Sequence, residues 1–246
     1  MLTEERYEII MRLLDEKKSI TVSELKDYLE ASESTIRRDI TALDRAGKLT
    51  KVFGGAVAND YTVTTHEPTM EQKQQVNLEE KTRIGRYAAS LIEPDDFVYL
   101  DAGTTTGQML DYITEKKATY ITNAVSHAEK LAADGFQVLL VGGTLKSSTG
   151  AIVGSLALKM ISDFHFTKGF FGTNGITMRE GCTTPDIAEA LIKEAAFRQC
   201  GTGLILADST KFDSVSSVTF APFENARILT EAVPERYRSC QNIILA

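Results

Sequence analysis

The sequence predicts an α/β protein in two domains, a small helical head and a larger, mostly parallel α/β body. Three observations carry this. In residues 1–57, apolar positions recur at helical spacing between polar breaks. From residue 78 onward, short apolar runs alternate with helical stretches, which argues for a sheet covered on both faces. Residues 58–77 hold no periodic apolar face and read as a linker. At 246 residues the chain is long enough for two proper cores.

Composition narrows the function classes. The formal net charge is −7, so nucleic acid could be held only by a local positive patch. Cys182, Cys200 and Cys240 are widely spaced, without a CxxC or a nearby His pair, which argues against a zinc ribbon and a disulfide framework. The opening Met-Leu-Thr-Glu-Glu-Arg is unlike a secretory signal, and no apolar run reaches membrane-spanning length. The expectation is a cytoplasmic protein with reduced thiols and no membrane partner.

In the head, Ile9, Ile10, Leu13 and Leu14 mark a first helix to about Glu16. Lys17-Lys18-Ser19 is a polar break. Thr21 and Glu24 fit a capping box that opens a second helix, with Val22, Leu25, Tyr28 and Leu29 inside. Ser32 or Ser34 caps a third, with Ile36, Ile40 and Leu43 inward and Ser34, Thr35, Arg37 and Arg38 on its other face. Gly47 ends it. Lys48 to Phe53 reads as a strand before Gly54-Gly55. Three short helices and a Gly-tipped β segment describe a winged helix-turn-helix whose third helix would enter the major groove. Residues 1–58 carry ten basic and eleven acidic side chains, whereas residues 34–53 carry five basic against two acidic. The positive charge is therefore concentrated where phosphates need neutralising.

Ser34-Thr-Ile-Arg-Arg-Asp-Ile40, followed by Gly54-Gly-Ala56, closely resembles the DeoR family of bacterial transcriptional repressors. The resemblance implies that Ser34, Thr35, Arg37 and Arg38 open a recognition helix, with Lys48, Lys51, Gly54 and Gly55 in a DNA-contacting wing. The family usually has Arg at the position of Lys51 and His at that of Phe53. Lys51 keeps the charge but cannot make a bidentate contact.

In the body, a helix over Leu78–Ile92 precedes strands at 97–100, 119–122, 137–141, 166–171, 203–207, 226–229 and 242–245. Helices are expected at about 104–114, 126–134, 154–163 and 186–199. In such sheets ligands sit beyond the carboxyl ends of the strands. Five strands end in small or polar groups: Asp101-Ala-Gly103-Thr104-Thr105-Thr106, Asn123, Gly142-Gly143, Gly172-Thr-Asn174, and Asp208-Ser-Thr-Lys211. Glycines permit close backbone approach, threonines and asparagines bind hydroxyls, and lysine supplies charge. Five such ends on one rim suggest a pocket for a phosphorylated polyol, although turns favour the same residues. Glu189 and Lys193, four apart on a helix, read first as a surface ion pair and second, by the family resemblance, as pocket neighbours. His66, His127 and His165 read as structural or solvated residues, and Cys182 as a small filler.

These strand ends also resemble, in order, the C-terminal sensor domain of the DeoR family from about Leu78 to Leu229. The resemblance then covers nearly the whole chain. It implies a fold related to ribose-5-phosphate isomerase and a sugar or polyol phosphate effector. Thr104 and Thr105 would hold phosphate, Lys211 and Lys146 would add charge, and Asp208 and Asn123 would bind hydroxyls.

The expectation is a repressor of a carbohydrate operon, in three parts: residues 1–57 bind DNA, 58–77 link, and 78–246 bind effector. It would act as a homodimer or homotetramer on double-stranded operator DNA, without cofactor, metal or catalytic residue. A fructose phosphate is the first expected effector, with tagatose, galactitol and glycerol phosphates as alternatives. The competing reading is a sugar-phosphate isomerase using Asp208 or Glu189 as base. An enzyme, however, has no need of an Arg-Arg helix with a wing. The charge concentrated there also argues against a protein-binding adaptor.

Overall fold

The structure is a computed structural model describing residues 2–17, 19–52, 54–58, 63–64 and 70–246. It divides into two compact units, Met1–Tyr61 and Thr62–Ala246.

The first unit runs α1 (Thr3–Lys17), β1 (Ser19–Thr21), α2 (Val22–Leu29), α3 (Glu33–Arg45), β2 (Leu49–Val52) and β3 (Gly55–Ala58). The capping box at α2 is formed: the Thr21 hydroxyl accepts the Glu24 N–H at 3.1 Å, and Glu24 accepts the Thr21 N–H at 2.8 Å. At α3 the cap is Ser32, whose hydroxyl accepts the Thr35 N–H at 3.2 Å, while Ser34 lies inside the helix. Ile36, Ile40 and Leu43 pack into one core with Ile10, Leu14 and Leu25.

Where the sequence showed one strand, three form an antiparallel sheet of order β1-β3-β2. β1 is too short to announce itself by alternation and forms through its pairing with β3. The Gly54-Gly55 pair is required by this closure. Gly54 has φ +82° and its carbonyl accepts the Val22 N–H at 2.8 Å. A Cβ on Gly55 would lie 2.2 Å from the Ile20 carbonyl oxygen.

The second unit opens with β4 (Val63–Thr64), α4 (Met70–Gln75), α5 (Leu78–Ala89), β5 (Phe97–Leu100) and α6 (Thr104–Met109). β6 (Thr119–Thr122), α7 (Val125–Ala133), β7 (Gln137–Leu140), β8 (Thr144–Lys146), β9 (Ala151–Val153) and α8 (Ser155–Ser162) follow. Then come β10 (Phe166–Gly172), β11 (Gly175–Thr177), β12 (Gly181–Thr184), α9 (Ile187–Arg198) and β13 (Cys200–Leu206). β14 (Val215–Ser216), β15 (Val218–Ala221), β16 (Arg227–Thr230) and β17 (Ile243–Leu245) complete it.

The seven strands expected from the sequence make one parallel sheet of order β17-β16-β13-β10-β5-β6-β7. Side chains alternate across it. Tyr99, Phe171 and Ile205 pack with Ile161 and Ile192 on one face. Val98, Leu100, Phe170 and Leu204 pack with Ile84, Met109 and Leu131 on the other. From β5 the chain moves outward through β6 and β7, then returns to place β10 on the opposite side of β5. That reversal opens a crevice at the carboxyl ends of β5 and β10.

The segment read as linker differs in part. Residues 59–62 and 65–69, including His66, lie outside the described residues. Val63–Thr64, however, pairs with β14, and residues 70–75 form α4. α4 escaped the sequence because it is six residues long and carries no repeating apolar face. No described helix is long and apolar enough to cross a membrane.

Candidate functional site

A cavity of about 670 Å³ occupies that crevice. Its walls are Ala102, Gly103, Thr104 and Thr105 after β5, Gly172, Thr173 and Asn174 after β10, and Leu206, Ala207, Asp208 and Lys211 at the end of β13. α9 contributes Glu189 and Lys193, the loop before β9 contributes Thr149, and α5 contributes Lys81. Gln72 and Lys73 from α4, with Gln75 and Val76 at its end, line the remaining side.

Three of the five polar strand ends thus border the cavity: those of β5, β10 and β13, adjacent in the sheet. Asn123, Gly142 and Gly143 do not line it. The Asn123 carboxamide accepts the Ala102 N–H at 3.1 Å and donates to the Ile152 carbonyl at 3.2 Å, so it braces the β5 turn from behind. A Cβ on Gly143 would lie 2.6 Å from the Val153 carbonyl oxygen, which makes this glycine a packing requirement of the β8–β9 hairpin.

Within the β5 turn, Thr104 and Thr105 line the cavity and Thr106 does not. The buried Thr106 hydroxyl accepts the Gly103 N–H at 3.0 Å and lies 2.7 Å from the Asp101 carbonyl oxygen, so it closes the turn on itself. Asp101 is also buried. Its carboxylate pairs with the Lys193 ammonium and accepts the Gly172 N–H at 3.1 Å. Lys193 also donates to the Gly172 carbonyl at 3.0 Å.

Glu189 and Lys193 therefore do not form a surface pair; both are buried and each has its own partners. Glu189 accepts from Lys146 at 2.8 Å and from the Thr149 hydroxyl at 2.7 Å. Lys146 also pairs with Asp186 at 3.0 Å and stands behind the cavity wall. Helical spacing showed that Glu189 and Lys193 share a face. It could not show that the face points inward.

Asp208 caps the turn after β13 and accepts from the Asn77 carboxamide at 3.0 Å, with Lys211 3.9 Å away. Lys81 is buried beside it, and its ammonium donates to the Lys73 carbonyl. Burial pushes Lys81 below the ordinary lysine pKa; Asp208 opposes that shift, while Lys211 and Lys73 add to it. Lys73, Lys81, Lys193 and Lys211 line the cavity against Glu189 and Asp208, four ammonium groups to two carboxylates among the described residues. α6 has only six residues, so its helix dipole adds little to that charge.

Two other sequence candidates are structural. His127 is buried, and burial drives its pKa down to about 4, against the pull of Asp101. Cys182 is a core filler whose thiol is pushed up to about 12 by burial. No metal-binding cluster occurs among the described residues.

In the first unit, the inner side of α3 is locked to α1 by Arg6, which donates to the buried Asp39 at 2.7 and 3.0 Å. The opposite side leaves Ser34, Arg37 and Arg38 exposed and Thr35 half-buried. Arg37 pairs with Glu33 one turn earlier at 2.6 Å, whereas Arg38 has no ionic partner among the described residues. The Lys51 ammonium donates to the Thr41 hydroxyl at 3.0 Å, which joins the wing to α3. Lys48 stands elsewhere, in a depression with Glu4, Tyr7 and Glu8 of α1.

This head and this body both match known family models. Residues 6–62 match the DeoR-like helix-turn-helix domain, and residues 76–231 match the DeoR C terminal sensor domain. The chain belongs to the DeoR family. It is 40% identical over 237 residues to the uncharacterized HTH-type transcriptional regulator FruR of Bacillus subtilis (strain 168), covering 96% of this chain and 93% of that protein. It is 32% identical over 223 residues to the lactose phosphotransferase system repressor of Streptococcus mutans, covering 89% and 88%. A solved ribose 5-phosphate isomerase a from Methanocaldococcus jannaschii aligns over 55% of either chain, at 10% identity and a TM-score of 0.40, too slight a likeness to argue from. As a DeoR-family member the protein is a DNA-binding transcriptional regulator and not an enzyme.

The Asp101–Lys193 pair makes a testable contribution to stability. Removing one member of a buried ion pair leaves an uncompensated charge, at a cost of about 3–5 kcal/mol. Lys193→Met should lower urea stability by that order, and adding Asp101→Asn should recover part of the loss. A double-mutant cycle of urea midpoints checks both values.

Proposed function

We propose that this DeoR-family protein represses a carbohydrate-utilisation operon and leaves its operator when a phosphorylated sugar or polyol fills the cavity. The observation that carries this is the cavity's charge and lining. Four lysines face two carboxylates beside the Thr104–Thr105 turn. Lysines and hydroxyls suit a phosphate monoester, and Asn174 and Asp208 can take sugar hydroxyls. A fructose phosphate is the first effector to try, followed by tagatose, galactitol and glycerol phosphates. Double-stranded operator would be gripped by α3 and its wing, from a homodimer or homotetramer whose paired heads match paired half-sites.

On the DNA side, an arginine bidentate to guanine is worth about 1–3 kcal/mol of discrimination. Arg38→Ala should weaken operator binding about tenfold or more without lowering the melting temperature, and Arg37→Ala should do likewise after losing its Glu33 pair. Mobility-shift titrations at fixed salt, with melting curves, decide this. Unchanged affinity in both variants would remove α3 from the interface.

On the effector side, one charge-assisted hydrogen bond is worth about 1.5–3 kcal/mol, or about 10–100-fold in affinity. Thr105→Ala should bind operator normally yet need that much more sugar phosphate for release, a super-repressor. Release at the wild-type concentration would show that the β5 turn is only a helix cap.

A further inference from the structure

α4 forms one side of the cavity. It packs against α6, the helix that carries Thr104 and Thr105. Polar groups that also border the cavity hold its far end. The buried Lys81 ammonium donates to the Lys73 carbonyl in the last turn of α4. Two residues beyond α4, Asn77 adopts a left-handed backbone with φ +53°. Its carboxamide donates to Asp208 at 3.0 Å and to the Thr210 hydroxyl at 3.4 Å. Residues 70–77 and any occupant of the cavity therefore share the same anchors.

Charge favours an anion as that occupant. Lys73, Lys81 and Lys211 line the cavity, and Asp208 is the carboxylate among them. An ammonium has three N–H donors, so Lys81 can hold the Lys73 carbonyl and still give hydrogen bonds to an anion. Burial disfavours its charged form, and a neighbouring anion restores that form.

We propose that α4 belongs to the ligand site: Lys73 and Lys81, with Lys211, take the phosphate monoester of the effector, so that occupancy of the cavity fixes α4 in place. The inference rests on reading the cavity as a sugar-phosphate site. Its consequence is directional. A ligand that touches α4 only when α4 is docked shifts the equilibrium toward the docked form. In the sequence, α4 is the first described helix after the DNA-binding unit.

The test is hydrogen exchange of the full-length protein with inorganic phosphate, fructose 1-phosphate and fructose 6-phosphate, with affinities from calorimetry. With a sugar phosphate that binds, exchange in residues 70–77 and in residues 101–107 should both slow, by about tenfold or more. Lys73→Ala and Lys81→Met should weaken binding about tenfold and abolish the slowing at 70–77. Lys73 is half-buried, so its variant remains decisive if Lys81→Met fails to fold. Slowing at 101–107 alone, or wild-type affinity in Lys73→Ala, would overturn the role of α4 and leave the cavity reading standing. No slowing at either segment with any of the three anions would overturn both.

Discussion

The buried ion pair between Asp101 and Lys193 is the joint on which the candidate site depends. Asp101 follows β5, Gly172 ends β10, and Lys193 comes from α9. The carboxylate binds the ammonium and the Gly172 N–H, and the ammonium binds the Gly172 carbonyl. Three elements meet at the point where the chain reverses its direction across the sheet. Two charges taken out of water gain little net stability over a well-packed apolar contact. What they do here is fix the β5 turn against its neighbour strand, with Thr106 and Asn123 closing it from behind. Thr104 and Thr105 are thereby left on the cavity side. Much of the polar chemistry in the Asp101–Thr106 motif holds the site and does not line it.

That division explains what could be read in the sequence and what could not. The seven strands, their alternation with helices, the capping box and the arginine helix were legible, because each is a local pattern. The cavity wall was half legible. A polar residue after a strand marks a turn at the carboxyl rim, but strand order decides which turns are neighbours. β6 and β7 lie on the far side of β5, so Asn123, Gly142 and Gly143 fall outside the cavity. Lys193 read first as half of a surface pair because spacing along a helix carries no information on which face is buried; only the family resemblance implied a pocket neighbour, and it does line the cavity. Lys81 and α4 were missed for the converse reason. A lysine in an amphipathic helix and a run of glutamines look solvated until the fold brings a carboxylate and a carbonyl to them.

The two units use positive charge in opposite ways. On α3 the arginines are exposed, where salt screens them. In the cavity, Lys81 and Lys193 are buried, where screening is weak and each group needs a partner. In a chain of net charge −7, positive charge is thus gathered locally, on α3 and around the cavity.

On the proposed function, occupancy of the cavity and occupancy of DNA oppose each other through one free energy of coupling. Its most direct test is the calorimetric affinity of the bound sugar phosphate for the free protein and for the protein saturated with an operator duplex obtained by selection. Effector binding should be weaker in the operator complex, by the same factor by which the effector weakens operator binding. Equal effector affinity for the free and DNA-bound protein would contradict it.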